Sequence, residues 1–347
     1  MKSDNSLLVY NFVMDTRDPL LSHQHEAVNA LAKNFNQITV VTGKVGDTDL
    51  AKNVKLISTN WIPGQSFRNL IKLSRISLPI IARGEFQRVF FHMADLQCAL
   101  LSPLIRIRGR KQSLWYAHTF KSKYLVFAHY WINTLITSTP GSCPIKSKKV
   151  KSIGQAIDEM KFPTLSLDSL DLNRLVHIGR FDKSKNIDQL ITSAKVMRKK
   201  YPKLELTIVG SPGNAESVNW SKNLVDLFDE DIKQGWLIFK PAIKRSEFST
   251  ELSKHGCFIH AYQGSLDKTL IESTMSRIPV VTINLEYVNI FGSWASFKLK
   301  DLESEYCSMR ETSRAKLENE LDRRLSIALK KHSLQNWLES ISKELKS

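Results

Sequence analysis

The residues with the densest chemical content run from Cys257 to Thr282, CFIHAYQGSLDKTLIESTMSRIPVVT. Two short apolar runs, Cys257–Ala261 and Pro279–Ile283, suit parallel strands covered on both faces. Between them lie a polar loop, Gln263–Lys268, and a helix that carries Glu272 in its first turns. A helix that opens just after such a strand points free N–H groups and the positive end of its dipole at its surroundings, so it attracts anions. Gly264 offers the loop an unusual backbone conformation. Parallel sheets bind ligands at the carboxyl ends of their strands. A phosphorylated ligand is therefore expected at this stretch.

Other chemistries find little support. The four cysteines, Cys98, Cys143, Cys257 and Cys307, are widely spaced and form no CxxC pair, so reduced thiols are expected rather than a metal site. No GxGxxG follows an expected strand, and Gly210 and Gly213 lack the required spacing, which argues against a nicotinamide-dependent dehydrogenase. Despite a pI near 9.6, no helix-turn-helix, zinc spacing or interleaved basic-aromatic module points to a nucleic-acid partner. No apolar run reaches the roughly 18 residues that span a membrane. The start, MKSDNSLLVYNFVMD, reads as a first strand after a polar lead rather than a signal peptide, so a cytoplasmic protein is expected.

Charge is the unusual bulk property. The net +16 is uneven: residues 1–150 hold 20 Lys+Arg and 8 Asp+Glu, a net +12. Such a balance implies an acidic partner or an anionic surface.

The elements that must position these groups alternate. In the first half the short runs Leu7–Met14, Ile38–Thr42, Val54–Ser58, Val89–His92, Leu114–Ala117 and Leu135–Ser138 read as strands. Helical spacing fills Ser22–Asn34, Gln65–Ser77, Ala94–Arg106 and Lys121–Asn133, with Ser22 a candidate N-cap. Pro140–Leu172 is rich in Pro, Ser, Lys and Asp and reads as a linker with one short strand, Val150–Ile153. A second series follows: strands Arg174–Ile178, Leu204–Val209 and Trp236–Phe239, and helices Ile187–Lys200, Ser217–Asp229 and Arg245–Lys254. Helices Glu311–Lys331 and Leu334–Leu345 close the chain. Strands alternating with helices indicate parallel βαβ units.

The second half carries its motifs in a particular order. LVHIGRFDKSKNIDQLITSAKVMRKKYPKLELTIVG gives a strand, the pair Gly179-Arg180, Lys185 five residues on, a helix, and a strand ending at Gly210; FIHAYQGSLDKTLIESTMSRIPVV comes later. This resembles the C-terminal domain of retaining glycosyltransferases of the GT-B fold, in the family 4-type group (glycosyl transferases group 1). The resemblance covers residues 174–284 well. It covers 1–150 more loosely, through strand order and the segments WYAHTFKSK and SIGQAID.

That resemblance implies an α/β chain of two doubly wound Rossmann-like domains facing across a cleft. It implies an acceptor-side domain over 1–155, a nucleotide-sugar-binding domain over 156–315, and terminal helices over 316–347 packing back toward the first. It further implies transfer of a sugar from a nucleotide-sugar donor to a saccharide or lipid-linked acceptor, with retention of configuration, in cell-surface polysaccharide or glycan biosynthesis. By resemblance Arg180 and Lys185 bind the donor diphosphate, and two cations there would neutralise charge as the glycosidic bond breaks. Glu272 would hold the ribose hydroxyls, since a carboxylate accepts from both members of a diol. Gly179, Gly210, Gly264, Ser265, Leu266, Asp267 and Lys268 fall on the donor-binding loops. His118, after a central strand, matches a histidine near the reacting centre. No metal or other cofactor is expected.

The sequence departs from the family pattern in two places. A sugar-contacting Glu eight residues before Glu272 is replaced by Gly264, so Asp267 or the loop amides from Ser265 to Lys268 would take its role. The Gly-Gly pair before the first helix is absent, leaving Ser22, His23 and His25 as acceptor-side or phosphate-side candidates. His92 is either a cleft or a packing histidine. The basic stripe Arg68, Lys72 and Arg75, with Arg106, Arg108, Arg110 and Lys111, suggests that the first domain docks on the inner face of an anionic membrane. The remaining alternatives are a catalytically altered sugar-nucleotide-binding relative, a phosphorylase and a basic nucleic-acid-binding protein.

Overall fold

A computed structural model describes residues 5–18, 21–295 and 301–346. The chain divides into two compact units, Met1–Ala156 with Leu334–Ser347, and Ile157–Ser333.

Unit 1 runs β1 (Ser6–Met14), α1 (Ser22–Ala32), β2 (Gln37–Val45), β3 (Val54–Ser58), α2 (Ser66–Arg83), β4 (Arg88–His92), α3 (Asp95–Ile107), β5 (Lys111–Trp115), α4 (Lys123–Trp131), β6 (Thr134–Thr137) and β7 (Val150–Ser152). The strands form one parallel sheet in the order β3-β2-β1-β4-β5-β6-β7, with Leu8 opposite Thr39 on one side and Val89 on the other. Leu7, Leu8, Val9 and Tyr10 of β1 are all buried, as a strand covered on both faces requires.

Three boundaries differ from the sequence reading for physical reasons. β5 starts earlier than expected because the polar Gln112 is held by tertiary partners: its side-chain NH2 donates to the carbonyls of Ser102 (2.9 Å) and Trp131 (3.2 Å). α2 continues past Ser77 and through Pro79, and stops at Gly84, whose φ of 64° ends the helix. Ser22 is not the N-cap of α1. It is the first helical residue, and Asp18 Oδ1 instead takes the Leu21 amide at 2.8 Å.

Unit 2 runs β8 (Arg174–Ile178), α5 (Ile187–Arg198), β9 (Glu205–Val209), α6 (Ala215–Leu227), α7 (Asp229–Lys233), β10 (Leu237–Lys240), α8 (Phe248–Leu252), β11 (Cys257–His260), α9 (Lys268–Met275), β12 (Val280–Thr282), α10 (Leu285–Phe291), α11 (Leu302–Glu311) and α12 (Arg314–His332). Its parallel sheet has the order β10-β9-β8-β11-β12. Leu175, Leu206, Ile208, Phe258, Ile259 and Val281 are fully enclosed or nearly so. The helix expected over Arg245–Lys254 opens as a single 3₁₀ turn, Arg245–Glu247, started by Glu247 accepting from the Lys244 amide at 3.0 Å, and continues as α8. The segment 316–347 is also not one body. α12 belongs to unit 2, whereas α13 (Leu334–Lys346) packs in unit 1, where Trp337, Ile341 and Leu345 are buried and Trp337 meets Trp115 edge-on.

No helix among the described residues is long and apolar enough to cross a membrane.

Candidate functional site

In unit 2 the strand order reverses at β8, which has β9 on one side and β11 on the other. Ligands of doubly wound sheets sit where such a reversal opens a crevice at the carboxyl ends of the strands. The loops leaving β8 and β11 meet at that point. The first begins with Gly179, whose amide donates to Val209 O at 3.0 Å. A Cβ on Gly210 would lie 1.9 Å from Gly179 O, and one on Gly179 would lie 2.9 Å from His177 Nε2. Gly210 therefore serves close packing of adjacent strand ends, and Gly179 leaves room for the His177 ring. Arg180 follows and is exposed. Asp182 then accepts from the Ser184 amide at 2.9 Å, and Asn186, held at φ 51°, donates its side-chain amide to Ala261 O at 3.1 Å. These bonds turn the loop back over β11 and bury Lys185.

Lys185 Nζ lies 2.5 Å from Asp267 Oδ2 and 3.9 Å from the centre of the Tyr262 ring. The same oxygen lies 3.0 Å from His260 Nε2. Asp267 precedes α9 but makes no capping bond to it, so its carboxylate faces the cation and the imidazole instead. Burial alone would raise the Asp267 pKa; the Lys185 ammonium and His260 outweigh it and hold the carboxyl well below its usual range. His260 is pushed down by burial against the pull of Asp267, and its Nδ1 lies 3.3 Å from Thr282 Oγ1. His177, 5.8 Å from His260 between ring centres, is pushed down to about 3 by burial and by that neighbour. Its Nδ1 faces Ile259 O at 3.1 Å.

Gly264 is not among the glycines with positive φ, which corrects the expectation of an unusual backbone there. Its side-chain direction is filled by a neighbour, since a Cβ would lie 1.9 Å from the Tyr262 hydroxyl. The loop is fixed from below by buried Asn284, which donates to Tyr262 O at 2.9 Å and Gly264 O at 3.3 Å while its Oδ1 caps α10 through the Tyr287 amide. Gly264→Glu is therefore expected to cost about 1–3 kcal/mol by overpacking. Tyr262→Ala should relieve most of that cost in the double variant. Urea unfolding of the four proteins checks it, and additive effects would contradict the collision.

Farther along α9, Glu272 is fully buried and ion-paired with Arg245, whose guanidinium lies 6.0 Å and 5.4 Å from the ring centres of Phe162 and Phe248. Beside Gly210, a cavity of about 450 Å³ is walled by Phe181, Pro212, Phe239 and Pro241, with Lys222, Asp226 and Lys240 on its rim.

Residues 166–289 match a family model described as glycosyl transferases group 1. The matched residues lie within unit 2. No curated protein matches the chain in sequence. Among solved structures, the chain is similar to the Anabaena protein HepE in complex with UDP and glucose, with 12% identity, 99% of this chain and 100% of that chain covered, and a TM-score of 0.75. Sucrose-phosphate synthase from Thermosynechococcus elongatus is matched at 13% identity over 99% and 98% of the two chains, TM-score 0.75. The N-terminal domain of trehalose-6-phosphate phosphatase from Candida albicans is matched at 12% identity over 100% and 97%, TM-score 0.72. The fold is that of GT-B glycosyltransferases.

Within the matched region, the structure brings Gly179, Lys185, Asp267 and the loop through Gly264 and Ser265 into one cluster, with Arg180 beside it and Leu266 buried beneath. Lys268 opens α9. His118 belongs to unit 1, where it is exposed and its Nδ1 accepts from the Phe120 amide at 2.9 Å. Of the other unit 1 candidates, His92 is buried among Phe90, Trp115 and His23 as a packing histidine, and His25 Nε2 accepts from the Asp49 amide at 3.2 Å. Tyr262, His260, Asn186, Asn284 and Arg245 escaped the sequence reading. Asn284 carried a usable signal, an Asn between an apolar strand and a helix.

The buried imidazoles make unit 2 acid-sensitive. His177 and His332, the latter pushed down to about 4 by burial and Lys331, titrate below the ordinary histidine value of 6.5 when folded. The unfolded chain thus takes up protons first as pH falls, so this stability is complete above 6.5 and is lost below it. The loss is expected to approach about 1.4 kcal/mol per pH unit per imidazole. Urea midpoints between about pH 7 and pH 5 measure it, and His177→Phe should flatten the slope. A midpoint that does not move would contradict it.

Proposed function

We propose that the chain is a retaining glycosyltransferase that moves a sugar from a nucleotide-sugar donor to a saccharide or lipid-linked acceptor in the cytoplasm, in polysaccharide or glycan biosynthesis. The observation that carries this reading is the meeting of the Gly179–Lys185 and Tyr262–Asp267 loops at the strand-order reversal of a group 1 domain. The donor diphosphate lies over Arg180, Lys185 and the opening of α9. Arg180 is exposed and able to follow the phosphate, while Lys185 is held in place by Asp267 and the Tyr262 ring. Asp267 thus acts as the anchor of Lys185 rather than as a substitute for the missing carboxylate at 264.

The ribose reaches Glu272 when Arg245 swings aside. The aromatic and proline walls of the cavity beside Gly210 suit a flat nucleobase. In the reaction, the bond from the anomeric carbon to the diphosphate oxygen breaks and its electron pair leaves with the diphosphate. The acceptor hydroxyl attacks from the same face and its proton passes to the departing phosphate. The cations stabilise the charge that grows on the leaving group.

A bound donor raises the melting temperature by mass action. A thermal-shift panel of UDP-, GDP-, ADP- and TDP-sugars tests the reading. One base should produce a shift that grows with concentration; none doing so would overturn it. UDP-glucose leads the panel, because a similar Anabaena structure contains it.

A further inference from the structure

From Leu96 to Ala156 the sequence contains no Asp or Glu but 10 Lys and Arg, where the chain's own frequency of 34 acids in 347 residues would place about six. After Asp95, which opens α3, this stretch builds the rest of α3, then β5, α4, β6 and β7, one edge of the unit 1 sheet. Its outer face is also apolar. Leu125 and Ala128 of α4 point inward and are fully buried, while Tyr124, Phe127 and Tyr130 recur every third residue on the outer face, with Tyr130 74% exposed. Phe120 just before α4 is 66% exposed, and Ile107 at the end of α3 is 78% exposed.

Cations are gathered at one end of that face. Lys149 Nζ donates to the carbonyls of His129 (2.8 Å) and Tyr130 (3.3 Å) at the end of α4. Burial and the nearby Arg106 push its pKa down, which marks two like charges held close together. Arg108 and Lys148 are exposed beside them in sequence. Aromatic rings on one helix face with Lys and Arg at its ends are the composition of a helix lying in the headgroup zone of a bilayer. A nucleic-acid site would instead set aromatic faces along a basic groove, whereas these rings stand on the outside of a single helix.

We propose that the outer face of α3 and α4 docks on an anionic lipid bilayer, with Phe120, Tyr124, Phe127 and Tyr130 entering the interface and the cations resting on headgroups. This relocates the expected contact: α2 keeps Arg68 and Arg75 exposed, but its basic stripe is not what the aromatic face accompanies. The inference does not depend on sugar transfer.

The test is co-sedimentation of the full chain with phosphatidylcholine vesicles, with and without phosphatidylglycerol. Binding should require phosphatidylglycerol and weaken as salt rises. It should fall at least about tenfold in a Phe127→Ser/Tyr130→Ser variant and in an Arg106→Glu/Lys148→Glu variant, while Arg68→Glu binds as the parent does. All these side chains are exposed, and unchanged melting curves verify that the variants fold. Equal binding to both vesicles, binding that survives in both double variants, or displacement of the vesicles by single-stranded RNA would overturn the proposal.

Discussion

Lys185→Ala is expected to lower the unfolding free energy of the second unit by about 3–5 kcal/mol, because it strands a half-buried carboxylate that loses its cation. Asp267 would keep only His260 as a partner. A shift of roughly 10 °C in the melting temperature should accompany it. Sugar transfer should fall at least about tenfold, or about 1.4 kcal/mol of transition-state stabilisation. These two effects separate in a second variant. Lys185→Met with Asp267→Asn removes both charges together and still lets position 267 accept from His260, so stability should largely return. Turnover should not return, because the cation at the leaving group is still missing. Recovery of both would make Lys185 a structural residue only, and would remove it from the proposed donor site.

Arg180→Ala should give the opposite pattern. Its side chain is exposed, so folding stability should stay within about 0.5 kcal/mol of the parent. Transfer should nonetheless fall at least about tenfold in kcat/KM, since the loss appears where charge develops on the diphosphate. Arg180→Lys should recover part of the rate, as it keeps the charge but loses the planar fork that grips two phosphate oxygens. A steady-state assay with the donor that gives the largest thermal shift measures all three proteins. Parent-like turnover in Arg180→Ala would sink its assignment to the diphosphate.

The alternation of strands and helices was legible because each buried parallel strand is a short apolar run between helical spacings. Leu7–Met14, Arg174–Ile178 and Cys257–Ala261 all match observed strands to within a residue. Elements whose polar residues are satisfied by tertiary partners were harder to see. The start of β5 depends on bonds from Gln112 to Ser102 and Trp131, which no local pattern reveals. At the site, the glycines and cations were visible as types and spacings. Their pairing was not: Lys185 and Asp267 are 82 positions apart, and only the reversal at β8 brings their loops together. The same holds for Glu272 and Arg245. Gly264 was read as a backbone device, yet the side chain of Tyr262 explains it, a contact that depends on how the loop folds over Asn284.

The loops after β8 and β11 are expected to bind the diphosphate of a sugar nucleotide. Calorimetric titration of the parent and of Arg180→Ala tests it most directly, using the nucleoside diphosphate of the best donor and the same nucleoside without phosphates. The parent should bind the diphosphate at least about tenfold more tightly than the nucleoside, and Arg180→Ala should lose most of that difference while binding the nucleoside unchanged. Equal binding of the two ligands by the parent, or an undiminished preference for the diphosphate in Arg180→Ala, would contradict it.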